Sequence, residues 1–225
     1  MSVSSGKKRT GWVESAKQVL VPMRILALIT ARGASKRIPG KNSRLLGGKP
    51  LIIWSIDVAK EIPEICDVLV STDDSEIAEI SRNAGAFVPW LRPSNLATDN
   101  ATSEAVALHA IDWYEREKGK VDGLLLLQPT SPLRSCKDIE DSVKKIIRNK
   151  CNSVTSVVDV EGNHPFRMKI IKKGMLKNYI EKGFEDMRPR QKLKKVFIRN
   201  GSIYLSTRDT IMKKNTLVGK KNLPH

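Results

Sequence analysis

Cysteine is scarce in this sequence, and no stretch of it stays apolar for long. The three cysteines, Cys66, Cys136 and Cys151, have a spacing that matches neither a disulfide framework nor a zinc site. No apolar run approaches the roughly 18 residues that a membrane-spanning helix needs. We therefore expect a protein of a reducing compartment, the cytoplasm, that makes no use of a membrane.

Aromatic residues (5%) and acidic residues are also few: 24 Asp and Glu stand against 40 Lys and Arg, a formal net charge of +16. The net charge is +2 over residues 1–112 and +14 over residues 113–225. Such an excess is compatible with nucleic acid, an anionic membrane surface or acidic small substrates. Because the cations are scattered and no nucleic-acid motif accompanies them, the sequence argues against nucleic acid. Acidic small substrates account for part of the charge.

The order of predicted elements indicates an α/β fold. The 225 residues suffice for one domain with a sizeable core. The apolar run Ile25–Ile29 predicts a buried strand, Leu51–Glu61 a helix, Val68–Ser71 a second strand and Ser75–Ala84 a second helix. This alternation favours a parallel sheet with helices packed on it. We expect residues 1–22 to form a flexible N-terminal extension and residues 23–225 to form the domain.

A basic loop follows the first predicted strand. Residues 32–44 contain five cations, no acid and several small residues. Cations and free backbone N–H groups after a strand are typical of a phosphate site, although a solvated basic loop has the same composition. The spacing fits neither the Walker loop, because Ser35 stands where its first glycine belongs, nor the dinucleotide fingerprint.

Two adjacent carboxylates, Asp73 and Asp74, come directly after the second predicted strand. In a parallel sheet this places them at the same edge as the basic loop, where ligands bind. One interpretation is a magnesium site. The other is that one of the two carboxylates caps the helix that follows.

Two strings carry a specific resemblance. Residues 31–42 contain A-R-x-x-S-K-x-x-x-x-K-N, and residues 127–134 read L-Q-P-T-S-P-L-R. The segment 92–103 adds R-P-x-x-L-A-x-D-x-x-x-S. Together these strings resemble the CMP-sialic acid synthetases, or acylneuraminate cytidylyltransferases, including the pseudaminic and legionaminic acid cytidylyltransferases. Weaker matches follow at residues 190–191 and 199–204.

The resemblance implies a Rossmann-like three-layer sandwich, with residues 160–200 as an excursion that supports a homodimer and reaches the sugar side. It implies a cytidylyltransferase that joins CTP to a nine-carbon 2-keto-3-deoxy acid sugar and releases pyrophosphate. It gives catalytic roles to Arg32 and Lys41. The implied nucleotide-binding residues are Arg32, Ser35, Lys41, Asn42, Arg92 and Ser103. The implied sugar-binding residues are Gln128, Thr130, Ser131, Arg190 and Gln191, and the proline turn that holds the first three also presents Arg134 to the cleft.

The resemblance also implies Mg²⁺, but the sequence assigns it no ligand. Synthetases of this kind carry a further strand and an I-D-x-x-x-D segment whose aspartates bind the metal, and neither is recognised before His225. A truncated sequence, magnesium held by phosphates and water alone, and lost activity all stay open. So do two other functions: a nucleotidyltransferase for the eight-carbon acid Kdo or another sugar, and a catalytically impaired relative that acts as a binding protein.

Overall fold

The computed structural model describes residues 23–35, 37–181 and 187–225. The predicted flexible extension, residues 1–22, therefore lies outside the described residues. The strands are β1 (Ile25–Ala31), β2 (Leu45–Leu46), β3 (Lys49–Pro50), β4 (Ile65–Thr72), β5 (Gly123–Leu127), β6 (Ser153–Asp159), β7 (Lys169–Lys172), β8 (Met175–Asn178), β9 (Phe197–Thr207) and β10 (Asn222–Pro224). The helices are α1 (Leu51–Lys60), α2 (Ser75–Asn83), α3 (Ser103–Lys118), α4 (Cys136–Asn149) and α5 (Arg208–Lys214).

Six strands form the central sheet, in the order β10-β6-β9-β5-β1-β4. Strand β1 runs parallel to β4 and β5, and β10 runs parallel to β6. Strand β9 is antiparallel to both of its neighbours, because the chain leaves the sheet at the end of β6 and returns beside it, with Asp159 paired to Phe197. The predicted mostly parallel sheet is confirmed. The sequence did not predict strand β10.

Helices cover both faces of the sheet, which explains the uninterrupted apolar run in β1. Ile25, Ala27 and Ile29 pack into a core with α1, α2 and α4. The alternate residues Leu26 and Leu28 pack into a second core with α3 and α5. The predicted three-layer sandwich is confirmed.

A bidentate ion pair joins α3 to α5. Arg208 Nε and Nη2 donate to the two carboxylate oxygens of Glu115 at 2.6 and 2.7 Å. The backbone N–H of Val121 donates to the same carboxylate at 3.2 Å. Hydrogen bonding to Arg208 lowers the pKa of Glu115, so the carboxylate remains charged at neutral pH. The pair thereby fixes the position of α3, whose first turn borders the site described below.

The excursion between β6 and β9 contains a two-stranded antiparallel hairpin, β7 paired with β8. The side chains of this hairpin lie away from both cores, and several of its apolar residues are exposed. In the part of the chain that the structure describes, no helix has the length and apolar character needed to cross a membrane.

Candidate active site

A cavity of about 320 Å³ lies where the carboxyl ends of β1 and β5 meet the loops that follow them. The basic loop after β1 forms one wall, and the turn after β5 and the first turn of α3 form others. Its lining includes eight predicted site residues, seven from these three segments and Arg92 from the segment between α2 and α3: Arg32, Ser35, Lys41, Asn42, Arg92, Ser103, Gln128 and Thr130. Topology therefore brings together residues that are up to about 100 positions apart in the sequence.

Two side chains fix the start of the basic loop. Asn42 is almost fully buried, and its Nδ2 donates to the carbonyl of Arg32 at 3.0 Å. Asp73 Oδ1 accepts a hydrogen bond from the backbone N–H of Gly33 at 3.1 Å. A Cβ at Gly33 would lie 2.5 Å from Asp74 Oδ2, so the close approach requires glycine. Asn42 thus shapes the loop as well as lining the cavity.

The two aspartates after β4 have separate backbone roles. Asp74 accepts a hydrogen bond from the N–H of Ile77 at 3.0 Å and is the N-cap of α2, which confirms the capping interpretation. Asp73 holds the basic loop. This role was not predicted from the sequence, because Asp73 and Asp74 are adjacent residues at the end of the same strand and nothing local distinguishes them. Within the described residues, no group of three or more His, Cys, Asp or Glu could hold a metal ion. Asp73 and Asp74 therefore form no three-ligand metal site, and one oxygen of each accepts a backbone N–H.

Arg32 forms an ion pair across the cavity. Its Nη1 donates to Asp99 Oδ1 at 2.9 Å and to the carbonyl of Thr98 at 3.0 Å. Both acceptors belong to the loop that precedes α3. Asp99 belongs to the 92–103 motif, but nothing in its local pattern predicts that it lies opposite Arg32.

Arg92 is buried against the end of β4. Its Nη2 donates to the carbonyl of Ser71 at 2.5 Å, and its Nη1 lies 3.4 Å from the carbonyl of Leu96. Burial lowers the pKa of Arg92. No carboxylate pairs with this guanidinium among the described residues, so it brings positive charge to the cavity wall. Such a site favours an anion.

The buried side chain of Arg134 holds the turn that follows β5. This buried guanidinium donates to the carbonyl of Ser202 at 2.7 Å, to the carbonyl of Gln128 at 3.1 Å and to Ser55 Oγ at 3.2 Å. Burial lowers its pKa to about 10. Arg134 also lines a depression next to the cavity, so it reaches the cleft while its hydrogen bonds hold the turn.

Gly201, on strand β9, leaves room for the side chain of Gln128. Gly201 has φ +79°, and a Cβ there would lie 2.5 Å from Gln128 Oε1. Both the left-handed backbone and the close approach exclude larger residues. The Asn-Gly pair in β9 therefore supports the position of the Gln128 side chain.

A second depression, of about 570 Å³, borders the first, and Thr130 lines both. Ser131, Ser156, Asn200 and Ser202 contribute hydroxyl and amide groups to its lining. Sequence reasoning named only Ser131 of these, although the Asn-Gly match in β9 was a signal for Asn200. The lining suits a ligand with many hydroxyl groups.

Arg190 and Gln191 do not join these residues. They line a third depression, of about 290 Å³, next to His164 and Leu193. Their role in sugar binding remains a prediction.

Comparison with known proteins gives a family. The family model described as cytidylyltransferase matches residues 26–215. The chain is 36% identical over 202 residues to the CMP-N,N'-diacetyllegionaminic acid synthase of Legionella pneumophila, covering 90% of this chain and 86% of that protein. It is 36% identical over 139 residues to a pseudaminic acid cytidylyltransferase of Campylobacter jejuni, covering 62% of this chain and 60% of that protein.

A solved structure has the same fold. A CMP-2-keto-3-deoxy-manno-octonic acid synthetase complexed with CTP superposes with a TM-score of 0.61 at 19% identity, covering 85% of this chain and 77% of that one. At this identity the likeness concerns the fold alone. The family model and the relative from Legionella pneumophila extend over most of the chain. The chain belongs to the cytidylyltransferase family of nucleotidyltransferases.

Proposed function

We propose that this protein transfers CMP from CTP to a nine-carbon 2-keto-3-deoxy acid sugar of the sialic, pseudaminic or legionaminic type. One observation carries the proposal: a cavity with three cations, Arg32, Lys41 and Arg92, adjoins a depression with hydroxyl and amide groups, and Thr130 belongs to both. The first suits a triphosphate and the second a polyhydroxy acid. The names of the relatives from Legionella and Campylobacter support the same substrate class.

The reaction joins the sugar to the α-phosphorus. The anomeric hydroxyl oxygen attacks this phosphorus in line and loses its proton, while the bond to the bridging oxygen of pyrophosphate breaks. Chemistry of this kind depends on positioning and charge neutralisation rather than on a protein nucleophile. Arg32 and Lys41 neutralise charge that develops on the phosphates, and Ser35 and Asn42 supply hydrogen bonds from the same wall.

Magnesium enters this proposal as a companion of CTP. In nucleotide sites Mg²⁺ keeps several waters and is held by phosphate oxygens with one or two carboxylates, and no carboxylate of the described residues is assigned to it here. When bound it supplies neutralisation of the phosphate charge. The free cysteines support the cytoplasm as the proposed location.

Pyrophosphate release tests the proposed function. CTP and Mg²⁺ are offered with sialic, pseudaminic or legionaminic acid or with Kdo, and the Arg32→Ala variant serves as the inactive control. We expect release with at least one nine-carbon acid and none above background in the variant. Release with Kdo alone would replace the proposed substrate. Silence with every acid, while CTP binds, would favour the binding-protein alternative.

We also propose that two copies associate through the excursion. On the β7–β8 hairpin Ile171 is 78% exposed and Leu176 72%, and at the end of the excursion, where β9 begins, Phe197 is 55% and Ile198 56% exposed. Exposed apolar side chains on one segment of a chain are typical of an interaction surface. A self-complementary contact between two excursions would bury it, and a two-fold dimer is the commonest arrangement that does so.

The dimer proposal predicts that charge on the hairpin separates the subunits. We expect Ile171→Lys with Leu176→Lys to convert a dimer to a monomer in light scattering, because burying two lysines in an apolar contact is costly. Leu45→Lys is the matched control, since Leu45 is 71% exposed and lies outside the excursion. A monomeric wild type, or a dimer that survives the double substitution, would contradict the proposal.

A further inference from the structure

Asp99 is the one acidic residue among the described residues that line the nucleotide cavity. A fixed negative charge repels a triphosphate, so its presence there weakens CTP binding. The carboxylate therefore requires a reason beyond filling space.

The geometry indicates that the reason lies in Arg32. Asp99 and the carbonyl of Thr98 both accept from Nη1 of this residue, at 2.9 and 3.0 Å. The opposite edge of the guanidinium, Nε and Nη2, makes no hydrogen bond within the described part of the chain. That edge has the two parallel donors that match a phosphate in a bidentate contact.

Stability does not explain the ion pair. The side chain of Arg32 is 39% exposed and that of Asp99 is 51% exposed. Exposed pairs of this kind contribute little to folding. The pair instead removes rotational freedom from a long side chain that would otherwise sample many rotamers.

We propose that Asp99 is a positioning residue: it fixes the guanidinium of Arg32 for the transition state, and its negative charge at the same time weakens CTP binding. The inference rests on the proposed function, because it assigns Arg32 to the phosphates. Two opposite effects follow from removal of the charge. Electrostatic repulsion falls, which tightens CTP binding, and Arg32 loses its fixed orientation, which slows the chemical step.

The Asp99→Asn variant separates these effects. We expect CTP to bind about fivefold more tightly by calorimetry without sugar acid, and the gain to shrink at high salt. We expect kcat for pyrophosphate release to fall about tenfold. Asp99→Glu, which restores the charge, should return CTP affinity to the wild-type value and recover part of kcat.

The matched control is Asp112→Asn. Asp112 lies on α3, outside the cavity lining, and pairs with Arg116 at 2.9 Å in an exposed contact. This substitution changes the net charge by the same amount, so CTP affinity and kcat should both stay within about twofold of wild type.

The outcomes distinguish the inference from the proposed function. Asp99→Asn with unchanged CTP affinity and kcat, or with weaker CTP binding, overturns the positioning role. A wild type that binds CTP but turns over no acid contradicts the proposed function and the inference that rests on it, whereas an active wild type with an unaffected Asp99→Asn variant overturns the inference alone. A wild type that does not bind CTP overturns both.

Discussion

Arg32→Ala is expected to lower kcat/KM for CTP by about a thousandfold, because it removes a cation that neutralises charge developing on the phosphates. The fold should survive, since Arg32 is half-exposed and its hydrogen bonds go to one loop. Steady-state pyrophosphate release measures the loss, and a thermal melt within a few degrees of wild type shows that it is not an effect of unfolding.

Arg37→Ala is the control for this prediction. Arg37 belongs to the same basic loop and is exposed, but it does not line the cavity. Its loss should reduce kcat/KM less than about fivefold, as expected for a screened surface charge. Equal losses at both positions would mean that the loop acts through its overall charge, and an unaffected Arg32→Ala variant would remove Arg32 from the mechanism.

Arg134→Ala is expected to lower the free energy of unfolding by about 3–5 kcal/mol. The substitution removes the guanidinium donor from two partly buried carbonyls, of Gln128 and Ser202, and that of Gln128 keeps another donor, the N–H of Ser131. It also leaves a cavity between α1, β9 and the turn after β5. Arg134→Lys should recover little of the lost free energy of unfolding. A single ammonium group cannot reach all the acceptors that the planar guanidinium of Arg134 contacts at once. Urea unfolding of the three proteins provides the measurement.

Arg116→Ala is the control for the stability prediction. Arg116 is exposed on α3 and pairs with Asp112 one turn earlier, so its removal should change the free energy of unfolding by less than about 0.5 kcal/mol. A change of less than about 1 kcal/mol for Arg134→Ala would contradict the description of this residue as the clamp that holds the turn.

The elements around the first strand were predictable because their signals are local. An apolar run such as Ile25–Ile29 indicates a buried strand by composition alone, and the alternation with helices gives a parallel sheet. The positive charge of the basic loop indicated a phosphate site. The resemblance supplied the individual site residues, and eight of them, including those of the basic loop, line one cavity.

The contacts that orient the site were not predictable, because they join residues far apart in the sequence. Asp99 lies 67 positions from Arg32, and Ser202 lies 68 positions from Arg134. The local pattern of Asp73 and Asp74 is the same, and only the packing of the basic loop against β4 shows which carboxylate caps a helix. The proline turn indicated only that Arg134 reaches the cleft, and its burial and its three protein acceptors show that it also holds the turn.

The identity of the nucleotide product tests the central claim most directly. The protein is supplied with CTP, Mg²⁺ and an equimolar mixture of sialic acid, pseudaminic acid, legionaminic acid and Kdo. The products are identified by mass spectrometry. We predict the CMP conjugate of one nine-carbon acid and an equal amount of pyrophosphate. A mixture in which CMP-Kdo is the sole conjugate, or in which CTP binds but no conjugate forms, would contradict the account.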